Sequence, residues 1–228
     1  MNIDHDISLG ELVCAHPVAT SIMLRHGLDF CCGGDITLSE ACATRRLEVA
    51  SVIEEIERAG RAEDSRDWAS APLVELMRHI LTTFHAPLPA ELGNLKLLSE
   101  RVLDAHGSKD RARLQELVEV ISELSTDLQI HMRKEEQILF PWIAHERHPP
   151  PASPIGVMMQ EHQTAGAFLA RIKTLTNNYQ PPPYACASVN GLYAGLEQLN
   201  ADLQTHIHLE NNILFPRALD VMAGGEQP

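Results

Sequence analysis

Aromatic side chains are scarce, at 4% of 228 residues. That favours a helical core built on Leu, Ile, Val, Ala and Met. Basic residues are also few, 18 against 31 acidic ones, for a formal net charge of −13. No Lys/Arg run is present, which argues against a nucleic-acid binder and an anionic membrane surface. The acidity itself reads as solubility. No apolar stretch reaches the roughly 18 to 20 residues that span a bilayer. The opening "MNIDHDISLGEL" lacks a basic region, an apolar core and a cleavage site, so no signal peptide is expected. Cys14, Cys31, Cys32, Cys42 and Cys186 are odd in number and show no disulfide-framework spacing, so reduced thiols in a reducing cytoplasm are expected. Sustained period-two alternation is missing too, so no strands are expected.

What remains is helical. "ISLGELVCAHPVATSIMLRHG" shows helical spacing interrupted at Pro17 and ends at Gly27. "DFCCGGD" is a turn, and "TLSE" has the form of a capping box with Thr37 as N-cap and Glu40 reaching back. "LEVASVIEEIERAG" repeats apolar residues at helical spacing and stops at Gly60. Residues 1–60 thus read as a small N-terminal domain of three or four short helices, and the charged, aperiodic 61–70 as a linker. Residues 71–228 carry four long helical patterns joined by polar or proline-rich loops, which read as an up-down four-helix bundle. Pro72 falls in the tolerated first turn of the first helix. Pro87 and Pro89 predict a break or kink just after His85. The fold class is therefore all-α, with a small helical domain preceding a bundle.

The bundle segment repeats itself. "HMRKEEQILFP" begins at His131 and "HIHLENNILFP" at His206. In each half another histidine stands upstream, His85 by 46 residues and His162 by 44 residues. Each half is then a helix with a histidine, a loop, and a helix with His-x3-Glu. Residues four apart in a helix differ by about 40° in angle and about 6 Å in rise, so His131 and Glu135 share one face, as do His206 and Glu210. That face is flanked by Ile121, Leu124, Leu128 and Leu139 in one copy and by Leu199, Leu203, Ile213 and Leu214 in the other. Four histidines and two glutamates inside a bundle, left unpaired, would exceed the roughly 5 to 15 kcal/mol that stabilises a domain. Two metal ions resolve this, with imidazoles supplying nitrogen and the two carboxylates bridging. The donor set suits iron, manganese, zinc or copper, with open positions that imply small-molecule or redox chemistry.

Helical angle separates bystanders from candidates. His208 lies about 200° from His206 and is expected to face solvent. His79 falls on another face, and His145 and His148 follow Pro141. His106 is a candidate second-layer group or extra ligand. Glu136 and Glu161 neighbour candidate ligands. Both are expected to be solvated, with Glu161 retained as a candidate for access or proton relay.

With "LDFCCGGDITLSEAC" ahead of "HMRKEEQILFP", "EHQTAG" and "HLENNILFPRAL", nearly the whole chain resembles the repair-of-iron-centres (RIC) family, hemerythrin-like di-iron proteins. The resemblance implies terminal ligands at His85, His131, His162 and His206, bridging carboxylates at Glu135 and Glu210, and two iron ions with a bridging oxo or hydroxo group. It implies repair of iron–sulfur clusters damaged by nitric oxide or peroxide, through iron donation to the damaged proteins. A di-iron nitric oxide or peroxide reductase is the alternative, and a non-enzymatic oxygen or iron sensor a second one. Whether the chain is an enzyme stays open, and a homodimer is allowed. The proline-rich "FHAPLPAEL" departs from the charged helix the family would place after the first ligand.

Cys31 and Cys32 are adjacent, unsuited to chelating one ion together or to an unstrained disulfide. They are expected to be partly exposed and to serve redox or iron transfer, against a plain packing role. Cys14, Cys42 and Cys186 read as structural.

Overall fold

Ser8 and Thr37 start two of the helices by the same chemistry. Each hydroxyl accepts the backbone N–H three residues on, and a glutamate at that position, Glu11 or Glu40, reaches back to the cap N–H. The computed structural model describes residues 3–59, 67–145 and 150–222. The chain divides into two units, residues 1–78 with 204–228, and residues 79–203. Among the described residues every regular element is helical, and Ser8 and Thr37 form an isolated β-bridge. The architecture is all-α, a small N-terminal helical domain and an up-down four-helix bundle.

The first unit opens with α1 (Leu9–Ala15), α2 (Ala19–His26), α3 (Leu38–Arg45) and α4 (Val49–Ala59). Gly27 ends α2 in the left-handed region at φ 65°, where a Cβ would be strained. Leu9, Leu12, Ile22, Met23, Phe30, Leu38 and Ile56 are fully buried, each stabilising the fold by roughly 1.5 to 3 kcal/mol. The turn after Phe30 closes on α1, with the Gly10 N–H donating to Gly34 O at 2.9 Å. Gly34 has no room for a side chain, because a Cβ there would stand 2.8 Å from Phe30 O. The predicted stop at Gly60 and residues 61–66 of the predicted linker lie outside the described residues. Residues 67–70 form a turn in which Asp67 accepts from the Ala69 and Ser70 N–H groups and from the Ser70 hydroxyl. Helix α5 (Leu73–Ile80) follows Pro72.

The second unit contains α6 (Leu88–Lys134), α7 (Phe140–Ala144), α8 (Ala152–Leu175) and residues 187–203 of α9 (Ala187–His208). The α6 and α8 helices pack on each other through an aliphatic core that includes Leu117, Ile121, Leu124 and Ile172. Residues 146–149, where the loop before α8 was expected to begin, lie outside the described residues. Helix α10 (Phe215–Met222) belongs to the first unit.

The chain does not break after His85. Ala86 and Pro87 both keep right-handed helical dihedrals, and the helix runs on into α6. Its interruption comes at Asp110, with φ −161° and ψ 71°. The Asp110 carboxylate caps the next segment, accepting from the Arg113 backbone N–H and, at 2.7 Å, from its Nε. Arg113 also donates to Leu175 O, Tyr193 Oη and Tyr184 Oη at 2.8, 2.9 and 3.0 Å.

The prolines act through the turn that precedes them. Among the described residues the helices contain three π-helical turns, Leu81–His85, Glu135–Leu139 and Leu209–Leu214. Each closes with a five-residue hydrogen bond, from Ala86 N–H to Leu81 O, Phe140 N–H to Glu135 O, and Phe215 N–H to Glu210 O. In every case a proline stands two residues past the turn, Pro87, Pro141 or Pro216. Proline has no N–H to donate and its ring crowds the carbonyl four residues back. Widening the turn by one residue relieves that clash without ending the helix.

Arg113→Met removes three bonds next to the Asp110 break, one to the C-terminal end of α8, one to Tyr193 on α9 and one to Tyr184. Stability should fall by about 1 to 3 kcal/mol in urea unfolding; an unchanged midpoint would show that these bonds contribute nothing net.

Candidate metal centre

The three π turns carry His85, Glu135 and Glu210. Within residues 79–203, His85, His131, Glu135 and His162 are each at most 3% exposed. Glu135 Oε2 lies 3.5 Å from His85 Nε2 and 3.3 Å from His131 Nε2. The Nε2 atoms of His131 and His162 are 3.0 Å apart. Within the other unit, His206 Nε2 lies 2.9 Å from Glu210 Oε1, and both residues are buried. The structure thus groups four of the predicted residues in one unit and two in the other.

Protons distinguish the two nitrogens of each ring. His85 Nδ1 donates to Glu136 Oε1 at 3.0 Å, and His131 Nδ1 donates to Glu161 Oε2 at 3.0 Å. An ionised carboxylate only accepts, so in each neutral ring Nδ1 holds the proton and Nε2 keeps its lone pair. Partial burial pushes the Glu161 carboxyl up, but bonds from Lys134 and His131 outweigh it and hold it below its ordinary value. Glu136 is exposed, as expected, and Glu161 is half-buried, but each carboxylate also orients a histidine ring. The signal was present, since both sit next to candidate ligands, but one sequence does not reveal which way a ring is turned.

Glu135 tests the fit of a metal. Its carboxylate is 0% exposed, and neither oxygen receives a hydrogen bond. A buried carboxylate without donors is costly unless a cation meets it. Two nitrogens about 3.0 Å apart match neighbouring positions around one ion with metal–nitrogen bonds of about 2.1 Å. The residues fit a metal bound by nitrogen and carboxylate. A cavity of about 210 Å³ reaches His131 and His162, lined also by Lys134, Glu161 and apolar groups of α6 and α8. Lys134 and Glu161 are ion-paired at its wall.

His106 is held elsewhere: its Nε2 lies 3.2 Å from Cys186 Sγ. His208 is not solvent-facing. It is 3% exposed, meets Phe30 edge-on at 5.5 Å between ring centroids, and its Nδ1 pairs with Asn212 at 2.8 Å. The helical angle was sound, but the face opposite His206 is covered by the turn after α2. Burial pushes its pKa down to about 4.

The cysteine turn is built by Asp29. Its Oδ1 accepts from the Cys31 and Cys32 N–H groups and, at 3.3 Å, from Cys31 Sγ. The two sulfurs are 3.6 Å apart and neither is in a disulfide. Cys31 is buried and Cys32 half-buried, so the expected exposure belongs to Cys32. Ligand atoms of Asp29, Cys31 and Cys32 gather within 4.8 Å, a grouping that the adjacency of the cysteines had argued against. The bond with Cys32, burial and Asp29 push the Cys31 thiol well up. Asn211 and Asn212, directly after Glu210, donate to Cys31 O and Phe30 O at 3.0 Å each. The sequence reading overlooked both asparagines. Cys14 and Cys42 have thiols raised mainly by burial, whereas Cys186 is exposed and is no packing residue.

A helical bundle bearing histidines and glutamates on matched motifs defines a metal-binding protein of hemerythrin type. A family model described as "Hemerythrin HHE cation binding domain" matches residues 76–218, and another, "Domain of Unknown function (DUF542)", matches residues 5–60. The chain is 40% identical over 214 residues to "Iron-sulfur cluster repair protein YtfE" of Escherichia coli O157:H7, covering 94% of this chain and 97% of that protein. The same figures hold for its namesake from Shigella boydii serotype 4 (strain Sb227). The chain belongs to the hemerythrin HHE family and, within it, to the repair-of-iron-centres proteins.

Two outcomes are expected. Glu136→Ala and Glu161→Ala should each weaken iron affinity about 10- to 100-fold in chelator competition, and unchanged affinity would refute the orienting role. His208 must be neutral in the fold but protonates readily when unfolded. Stability should therefore be full above pH 6.5 and fall toward pH 4, by about 3 kcal/mol. A His208→Gln variant should show a shallower loss in denaturation across that window; an identical pH slope would contradict the assignment.

Proposed function

We propose that the protein repairs iron–sulfur clusters damaged by nitrosative or oxidative stress by supplying iron. His85, His131, His162 and His206 would be terminal ligands and Glu135 and Glu210 bridging carboxylates, holding two irons with an oxo or hydroxo bridge. The observation that carries this reading is Glu135, a fully buried carboxylate without a hydrogen-bond donor, set between His85 Nε2 and His131 Nε2. The duplicated His-x3-Glu motif supports an equivalent role for Glu210, and the relatives' name supports the biological task. Iron supplies labile, exchangeable coordination and redox capacity. The chain's own groups do the rest: Glu136 and Glu161 keep two imidazoles aimed, and the aliphatic walls limit water.

Cys31 and Cys32, with Asp29, are the proposed redox or iron-transfer group. The two thiols would have to lose their protons to take a metal. The recipients are damaged iron–sulfur proteins. No helix among the described residues is long and apolar enough to cross a membrane, and a cytoplasmic setting suits cysteines outside disulfides.

A second reading has a specific support. The 210 Å³ cavity reaching His131 and His162 would admit nitric oxide, oxygen or peroxide, so reduction of a small molecule at the same residues is the alternative.

The test uses iron-loaded protein under anaerobic conditions with a dehydratase whose cluster has been damaged by nitric oxide. Wild type should restore its activity, and Glu135→Leu should do so at least about tenfold more slowly, losing a carboxylate its neighbours cannot replace. Equal repair by the variant would overturn donation from this site. Nitrous oxide formed on catalytic turnover without recovery of the dehydratase would favour the reductase.

A further inference from the structure

Away from the proposed iron ligands, one nucleophile of residues 79–203 meets a base. Cys186 is exposed and immediately precedes α9. Its Sγ lies 3.2 Å from His106 Nε2, a contact joining residues 80 positions apart in the chain. The ring of His106 tilts against Tyr184 at 5.6 Å between centroids. Tyr184 Oη in turn accepts from Arg113 Nη2 at 3.0 Å, so the ring is backed by an anchored side chain. On its other side the sulfur accepts from the backbone N–H groups of Ser188 and Val189.

We propose that Cys186 and His106 form an activated thiol pair, a modification site at which hydroperoxides oxidise Cys186 to a sulfenic acid. His106 takes the thiol proton. The thiolate attacks one peroxide oxygen, the S–O bond forms as the O–O bond breaks, and sulfur gives up two electrons. The departing alkoxide or hydroxide takes the proton back from His106, leaving an alcohol or water. The net change is one thiol and one hydroperoxide to one sulfenic acid and one alcohol or water.

Three features support the assignment. The thiol is reached by solvent, whereas Cys31 and Cys42 are buried. It has an imidazole at bonding distance, and its thiolate is met by two backbone donors at a helix start. The backbone bond from Val189 and the bond from His106 lead in lowering its pKa to about 7, while burial raises those of Cys14 and Cys42, and the bond with Cys32 leads in raising that of Cys31. Reaction at Cys186 does not depend on the iron reading, since neither member of the pair is among the six proposed ligands.

The experiment uses the full-length protein as purified with its metal. Alkylation by iodoacetamide across pH 5.5 to 9.5 is followed at each cysteine by mass spectrometry. One equivalent of hydrogen peroxide is then added in the presence of dimedone and the adducts are mapped. In wild type the Cys186 alkylation rate should turn over near pH 7, and Cys186 should carry most of the dimedone. His106→Gln should raise the midpoint by about one pH unit and slow alkylation at pH 7 about fivefold, with an unchanged circular dichroism spectrum. An ordinary thiol midpoint at Cys186 in wild type, or a profile that His106→Gln leaves in place, would overturn the pair. Dimedone on other cysteines but not on Cys186 would overturn the oxidation. The wild-type profile and adduct map decide the matter even if the variant folds poorly.

Discussion

A carboxylate without a donor sets the terms for this fold. Glu135 is wholly enclosed, and neither of its oxygens accepts a hydrogen bond. An aliphatic core offers such a group no compensation, and stranding it would cost several kcal/mol, a large part of what holds a domain together. Its neighbours are imidazole nitrogens whose protons are committed to outer carboxylates. A cation is what satisfies the acid and the lone pairs at once. Much of the architecture follows from placing those groups: helices long enough to bring them in, aliphatic walls to exclude water, and two outer glutamates, Glu136 exposed and Glu161 half-buried, to fix ring orientation.

The π turns are the backbone's part in that arrangement. Three of the six proposed ligands stand within them, and each turn is followed by a proline. One residue of slack rotates the helix beyond the turn by about 100° relative to a regular helix, which resets the face presented downstream while the helix continues. Near Glu210 the same segment reaches further. Asn211 and Asn212 bind the carbonyls of the turn that bears Cys31 and Cys32, and Gly34 lets that turn close. The second ligand motif and the cysteine pair are thereby built as one piece of local structure, which is why a role for the cysteines in iron transfer is physically economical.

Much of this was legible before any coordinates. Caps at Thr37 and Gly27, the absence of strands and the duplicated motif all follow from local chemistry and spacing. What escaped has identifiable causes. Proline was read as a breaker at Pro87, because propensity does not say whether a helix ends or widens. The interruption at Asp110 lies three residues past Gly107, and its clearest mark is a capping aspartate with Arg113 behind it. His208 was assigned to water from its angle alone, although an angle does not reveal what covers that face. The histidine contacts of Glu136 and Glu161 went unforeseen because those partners are 51 and 30 residues away in sequence. Cys186 was taken as packing because a thiol's exposure and its distant histidine are tertiary facts.

The proposed centre is a pair of irons joined by the two carboxylates. Metal analysis combined with Mössbauer spectroscopy of protein purified without air from iron-57-grown cells tests it most directly. Two irons per chain, magnetically coupled to each other, is the predicted result. A single uncoupled iron, or stoichiometric zinc with no iron, would contradict it.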